Sequence, residues 1–306
     1  MKTQQREQER EITPQFISGF VESDGCFSLI KESRGEKTFW RPTFYITQQG
    51  ISGPSPLLNK CAAFFGGGGI IEDKRYGCYS MRVNSRQQLE GNVLPHFLQY
   101  PLLGDKRGDF LLFQQACQLL WEGGGKELER LSTLMNRAGP RYRGGAGRPE
   151  ALRKLPTLHP EYVSGLVQGD GSFYFSFLLN PPRARPNFAL GQHYQSKSLL
   201  GALRSFFSCG KIYQVGAHHW RLSISSPKDL RERVLPHFSC YPLVDDKERL
   251  LELFSRGCEM QREKTGRATL LRLVDLLYDS NCSGKRRRRT REEYLAALQK
   301  IEKIVT

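Results

Sequence analysis

Two acidic turns stand in register in this chain, Ser23-Asp24-Gly25 and Gly169-Asp170-Gly171. Each follows an apolar helical stripe: Ile17, Phe20 and Val21 in the first copy, Val163, Leu166 and Val167 in the second. Spacing of i, i+3, i+4 marks one buried helix face, so each Asp falls at the C-terminal end of its helix. There it meets the negative end of the macrodipole, which is unfavourable by a few tenths to about 1 kcal/mol. On another face lie small residues four apart, Gly19 with Ser23 and Gly165 with Gly169. Small residues at that spacing let two helix backbones approach closely. The two helices are therefore predicted to pack together, and their carboxylates then approach and repel each other. A cation between them answers both penalties, and oxygen-only ligands favour Mg²⁺ over zinc. Asp-Gly is also a common turn in its own right; its recurrence in both copies favours the metal reading.

The elements that position these residues are written twice. VLPHFLQYPLLGDK (93–106) and VLPHFSCYPLVDDK (234–247) agree at ten of fourteen positions. FISGFVESDGCFSL (16–29) parallels YVSGLVQGDGSFYF (162–175), FYITQQ (44–49) parallels FALGQH (188–193), and FFGGGGII (64–71) parallels FFSCGKIY (206–213). The offset stays between 141 and 146, so one unit of about 145 residues is duplicated. The first repeat is assigned to residues 1–138, a Gly-, Pro- and Arg-rich linker to 139–158, and the second repeat to 159–306. In the first repeat, Thr13-Pro14 predict an N-cap and N1 pair for a helix to about Ser23. Strands are predicted at 26–34 and 39–48, a helix at 55–65, a hairpin at 69–84, and helices at 86–97, 106–121 and 126–137. The second repeats this at 160–169, 172–180, 186–193, 196–208, 211–225, 227–238 and 247–262, with additional helices at 266–279 and 291–304.

Composition narrows the partner. Hydrophobic residues make up 39% of the 306 and aromatics 11%, enough to build a core. No stretch reaches the ~18–20 apolar residues that cross a bilayer. The opening MKTQQREQER lacks the marks of a signal or transit peptide, so no secretion is expected and the protein is expected to be made where it acts. Lys and Arg total 46 against 31 acidic residues, a net charge of +15. Such an excess suits a polyanion, nucleic acid before a membrane surface. Eight cysteines without a C-x-x-C pair read as reduced core thiols. The run KRRRRTR (285–291) reads as a phosphate-contacting or solvated segment and Gly66–Gly69 as a turn. His218-His219 has no partner at metal spacing, and His96 and His237 are expected to cap or pack.

Ser18-Gly19-Phe20-Val21-Glu22-Ser23-Asp24-Gly25 and Ser164-Gly165-Leu166-Val167-Gln168-Gly169-Asp170-Gly171 resemble the paired motifs of the LAGLIDADG homing endonucleases in their single-chain form. The likeness runs over nearly the whole chain, through the repeated Tyr-Pro-Leu-x-x-x-Lys segments. It departs at Glu22 and Gln168, where the motif commonly has its first acidic residue. The resemblance implies an α+β fold of two pseudo-symmetric αββαββα halves, each with a four-stranded antiparallel sheet, the pair forming a saddle over DNA. It implies that Asp24 and Asp170 bind Mg²⁺ with the backbone carbonyls of Ser23 and Gly169. Gln48 and Gln192 resemble residues that orient water at the scissile phosphate. Lys106 and Lys247 resemble the basic residues beside the active centre, where a cation can stabilise phosphorane charge.

Strand alternation says which side chains face the duplex. With Phe27, Leu29, Tyr79, Met81 and Val83 inward, Ser28, Ile30, Glu32, Arg34, Ser80 and Arg82 face out. With Phe173, Phe175, Phe177, Trp220, Leu222 and Ile224 inward, Tyr174, Ser176, Asn180, His219, Arg221 and Ser223 face out. Arg41, Lys74, Arg183, Arg185, Lys211 and Tyr213 belong to this face or its rim. Two sheets end to end could cover roughly 20 base pairs. The expected activity is Mg²⁺-dependent, sequence-specific hydrolysis of both DNA strands by a monomer, leaving short 3′ overhangs. The alternative is an intron RNA maturase using the same basic surface. The resemblance implies a chloroplast or mitochondrion.

Overall fold

A computed structural model describes residues 11–50, 53–137, 155–179, 182–263, 266–277, 290–296 and 298. Helix α1 (Pro14–Asp24) begins as its sequence requires: the Thr13 hydroxyl accepts the Phe16 amide at 3.3 Å and proline fills the first helical position. It passes directly into β1 (Gly25–Arg34), which pairs antiparallel with β2 (Lys37–Gln49). A Cβ at Gly25 would sit 2.8 Å from the Val21 carbonyl oxygen, so this helix-to-strand turn needs glycine for room. Helix α2 (Pro56–Phe64), strands β3 (Gly69–Asp73) and β4 (Cys78–Val83), α3 (residues 86–99), α4 (Lys106–Glu122) and α5 (Gly125–Arg137) complete the first half. The second repeats it as α6 (Pro160–Asp170), β5 (Gly171–Leu179), β6 (Pro182–His193), α7 (Lys197–Phe207), β7 (Lys211–Gln214), β8 (His219–Ile224), α8 (residues 227–240), α9 (Asp245–Glu263) and α10 (Arg267–Leu277).

Both sheets are four-stranded and antiparallel, ordered β1-β2-β4-β3 and β5-β6-β8-β7. This is the expected α+β pair of αββαββα units. Helices cover one face of each sheet, and the core beneath them is aromatic. Phe27 packs with Phe44, Phe97, Phe110 and Phe113 at centroid distances of 5.2–5.5 Å. Phe173 repeats this with Phe188, Phe238 and Phe254 at 5.0–5.6 Å. Two kinds of boundary differ from expectation. Helices α3 and α8 each widen into one π turn, Leu89–Val93 and Leu230–Val234. Each widened turn precedes a proline, Pro95 or Pro236, which has no amide to donate into it. Strand β6 begins at Pro182, not at 186, although Pro186 lies within it. The described pairing with β8 reaches only Phe188, so Pro186 is paired on one side alone, with Phe175 of β5, which is the edge setting in which strands tolerate proline.

Cys61, Cys117 and Cys258 are core thiols as expected, but Cys240 is exposed and Cys26, Cys78 and Cys209 are half-buried. Residues 291–296 are helical. Residue 298 is helical too; the remaining positions of the 291–304 prediction, most of the linker, Cys282 and residues 285–289 of the basic run lie outside the described residues.

Candidate active site

Helices α1 and α6 meet through their glycines. A Cβ on Gly19 would fall onto the Tyr162 carbonyl oxygen and 2.8 Å from the Leu166 amide nitrogen. Gly165 stands in the same relation to the carbonyl of Phe16 and the amide of Phe20, again at 2.8 Å for the latter. The Ser23 hydroxyl donates to the Leu166 carbonyl at 3.0 Å, tying the helices near their C-terminal ends. The small-residue faces read from the sequence thus form the seam between the halves.

The carboxylates come together at that seam. The Asp24 carboxyl carbon lies 3.3 Å from the position a Cβ of Gly169 would take. Burial first, then the charge of Asp170, pushes the Asp24 carboxyl up to about 6. Asp170 is raised by burial, while Lys106, Ser23, Lys247 and Gln192 pull against that rise. Gln192 donates its amide to Asp170 at 2.6 Å, and Gln48 hydrogen-bonds Asp24. Both glutamines share parity with the core residues of their strands, Ile46 and Leu190, so they point under the sheets toward the motif helices. The Gln48 amide oxygen accepts from Ser55, the N-cap of α2, at 2.5 Å, which orients its NH₂ toward Asp24.

The lysines are not solvated helix starters. Lys106 donates to the carbonyls of Ser23 (3.1 Å) and Gly25 (2.5 Å). Lys247 donates to Val167 (3.2 Å), Gly169 (3.0 Å) and Gly171 (2.7 Å). Each ammonium satisfies the orphan carbonyls where a motif helix ends and offsets the negative end of its dipole. Burial lowers the Lys247 pKa against the pull of Asp24 and Asp170. This modifies one expectation: the Ser23 and Gly169 carbonyls, read as metal ligands, already spend a lone pair on lysine, leaving one each for an ion.

Among the described residues no three His, Cys, Asp or Glu side chains converge as a metal site. The donors at the seam are two carboxylates and backbone oxygens. Such a set suits Mg²⁺, which commonly takes one or two carboxylates and completes its shell with water and substrate phosphate.

Glu22 and Gln168, the two departures from the motif, act on the segments that deliver the lysines. Glu22 Oε2 accepts the amides of Leu103 (2.9 Å) and Gly104 (3.0 Å) and the Tyr162 hydroxyl (2.9 Å). Gln168 accepts the Val244 amide at 3.0 Å and donates to its carbonyl at 3.2 Å. Burial raises the Glu22 pKa above 4.5, and among the described residues Oε1 of Glu22 has no hydrogen-bond partner. A carboxyl raised on folding contributes stability below its unfolded pKa and loses it as pH climbs through the folded value. Glu22→Gln removes that loss. The variant is expected to melt about 3 °C above the parent at pH 8 and level with it at pH 4, by thermal denaturation.

Elsewhere the alternation holds. Ser28, Ile30, Glu32, Tyr174, Ser176, Arg82, His219, Arg221 and Ser223 share the face opposite the core, with Arg41, Arg183, Arg185, Lys211 and Tyr213. Lys74 lies in the β3–β4 turn. Arg34 ends β1, paired with Lys37, while Asn180 lies outside the described residues. Ser80 faces outward as expected but is only 5% exposed, and its hydroxyl lies 2.7 Å from that of Thr47 on the neighbouring strand. Glu32 and Arg41 hold each other at 2.8 Å. His96 and His237 pack as expected, against Phe64 and Phe65 and against Phe206 and Phe207, with Ser18 and Ser164 at 3.1 and 3.2 Å. Burial lowers both to about 4, so they stay neutral.

The sequence reading missed Ser55, Tyr162 and Ser196, and also Asp105 and Asp245. The acidic residues one or two places before the repeated lysines were the available signal.

The known proteins that this chain is similar to are of one kind. Over 254 residues the chain is 26% identical to a probable intron-encoded DNA endonuclease of Mycosarcoma maydis, covering 74% of this chain and 92% of that protein. A probable intron-encoded endonuclease of Schizosaccharomyces pombe is 27% identical over 204 residues, 65% of this chain, and the chain spans 50% of its length. In structure, I-SmaMI bound to an uncleaved DNA target with calcium ions superposes with a TM-score of 0.79 at 22% identity, covering 89% of this chain and 99% of that one. I-LtrWI bound to target DNA gives 0.78 at 19%, with 90% and 98% covered. These likenesses establish the fold. The family model for LAGLIDADG endonucleases matches residues 17–117 and 163–256, both copies of the motif and most of each half. The chain belongs to the LAGLIDADG endonuclease family.

Proposed function

We propose that this chain is a monomeric, intron-encoded homing endonuclease that hydrolyses both strands of a specific DNA duplex of roughly 20 base pairs with Mg²⁺, leaving short 3′ overhangs. The observation that carries the reading is the meeting of Asp24 and Asp170 at the seam, each held by a glutamine and flanked by a lysine, Lys106 buried and Lys247 half-buried. Mg²⁺ bound there would supply a Lewis acid that polarises the phosphate and activates water. Asp24 and Asp170 would hold it, with the free lone pairs of the Ser23 and Gly169 carbonyls. The side chains' own work is positioning. Gln48 and Gln192 fix the carboxylate rotamers and keep an amide within reach of an attacking water. Lys106 and Lys247 bring positive charge to where phosphorane charge develops. Their anchorage on helix-end carbonyls fixes that charge before substrate arrives, so little reorganisation accompanies the reaction. Loss of either ammonium, as in Lys247→Met, is expected to lower single-turnover cleavage about 100-fold.

The outward faces of both sheets supply the duplex contacts. Arg82, Arg183, Arg185, Lys211 and Arg221 there, with Lys74 at the rim, suit phosphate and base-edge recognition. An organellar genome is the proposed setting. In the described residues no helix is long and apolar enough to cross a membrane. The test is incubation with a plasmid carrying the intronless junction of the host gene, with Mg²⁺, with Ca²⁺ and with EDTA. Linear plasmid with Mg²⁺ alone is expected. Intact plasmid under every condition would overturn the proposal and turn attention to binding of the intron RNA.

A further inference from the structure

Each half also reaches across the seam with a carboxylate. Asp245 lies two residues before Lys247 in the second half, yet its Oδ2 accepts the Leu57 amide of α2 in the first, at 2.7 Å. Asp105 directly precedes Lys106. Its Oδ1 accepts the Ser196 hydroxyl of the second half at 2.7 Å, and its own amide donates to that hydroxyl at 2.9 Å. Leu57 is in the first turn of α2, whose N-cap Ser55 holds Gln48 and, through it, Asp24. Ser196 ends the short turn Tyr194–Ser196 that joins β6 to α7. That strand carries Gln192, which holds Asp170. The segment that delivers one half's lysine is thus tied to the element that holds the other half's glutamine and carboxylate.

Asp245 adds a second observation. Its φ is +54°, in the left-handed region that favours glycine. The matching residue of the first copy is Gly104. Glycine would take this backbone without strain, so what the position uses is the aspartate's side chain.

We infer that Asp105 and Asp245 are positioning residues, each setting the glutamine–carboxylate pair of the opposite half so that the two strand scissions stay in step. The inference rests on the nuclease reading above. The two ties share no atoms, so losing one should disturb one catalytic set and spare the other.

The test uses the full chain with Mg²⁺ on a supercoiled plasmid and an end-labelled duplex bearing the intronless junction. The parent protein is expected to pass from supercoiled to linear with little nicked circle. Asp245→Gly removes the tie while relieving the backbone, so its melting temperature and its Ca²⁺-supported DNA affinity should stay near the parent's. It is expected to accumulate nicked circle at least tenfold above the parent, one strand remaining uncut. Asp105→Ala should leave the opposite strand uncut, and Asp105→Asn, which keeps an acceptor, should recover coupled cleavage. Equal slowing of both strands in both variants, or parental kinetics in both, overturns the inference while the nuclease reading stands. A parent protein that leaves the plasmid intact overturns both.

Discussion

Asp24→Asn and Asp170→Asn are each expected to reduce double-strand cleavage by at least 10⁴-fold while leaving DNA affinity within a few-fold of the parent. The asparagine side chain keeps the shape and the hydrogen bond to its glutamine. It loses the charge that draws a divalent cation into a buried site. A second signature separates this from misfolding. Burial and Asp170 raise Asp24 from 3.8 to about 6, so the protonated pair favours the fold. Below 3.8 that contribution is complete, and it fades as pH rises toward 6. At pH 7.5 the metal-free parent therefore carries a charge held out of water and its repulsion with Asp170, both of which Asp24→Asn removes. The variant should be more stable there by up to about 3 kcal/mol, two pKa units of linkage. The parent, but not the variant, should gain thermal stability when Mg²⁺ or Ca²⁺ is added at that pH. Melting curves with and without the ion at pH 5 and 7.5 measure both effects.

Gly19→Leu should destabilise the whole molecule, by about 3–5 kcal/mol. The atoms in the way are not side-chain ends that can rotate aside. They are the Tyr162 carbonyl and the Leu166 amide of the facing helix, themselves fixed in its backbone ladder. A side chain at Gly19 forces α1 and α6 apart and strips contacts along the seam. Even Gly19→Ala meets the same two atoms, and Gly165→Ala meets their counterparts at Phe16 and Phe20. Ser23→Ala is the contrast. It removes one 3.0 Å bond to Leu166 and should lose only about 1 kcal/mol. Denaturant unfolding of the four variants ranks them. Cleavage should fall with the glycine variants because Asp24 and Asp170 separate together with the helices.

The repeat made most of this architecture legible. Once two copies align, the Asp-Gly turn, the Gln at the strand end and the Lys at the helix start each appear twice. Their convergence then follows from one close-packed helix pair. Strand parity likewise placed the outward residues from Ser28 to Arg221, since alternation depends only on local geometry. What the sequence did not carry was partnership. Nothing in the spacing says that the Ser23 and Gly169 carbonyls are engaged by Lys106 and Lys247, because those bonds join segments about 80 residues apart. Ser80 was read by parity alone, which gives direction but not the Thr47 hydroxyl beside it. Asp245 and Asp105 looked like ordinary helix-start acids. Their targets, Leu57 and Ser196, lie in the other half, and only the assembled seam brings them within reach. Glu22 looked like a variation in the motif, yet it holds the loop that places Lys106.

Whether Asp24 and Asp170 share a divalent cation can be read from anomalous diffraction. Crystals of the protein with its DNA target would be soaked in Mn²⁺, with data collected at the manganese edge. An anomalous peak is expected at the seam, within about 2.3 Å of an oxygen from each aspartate and of a DNA phosphate oxygen. A DNA-bound complex with no manganese at the seam, or with the ion on only one of the two carboxylates, would contradict a shared cation.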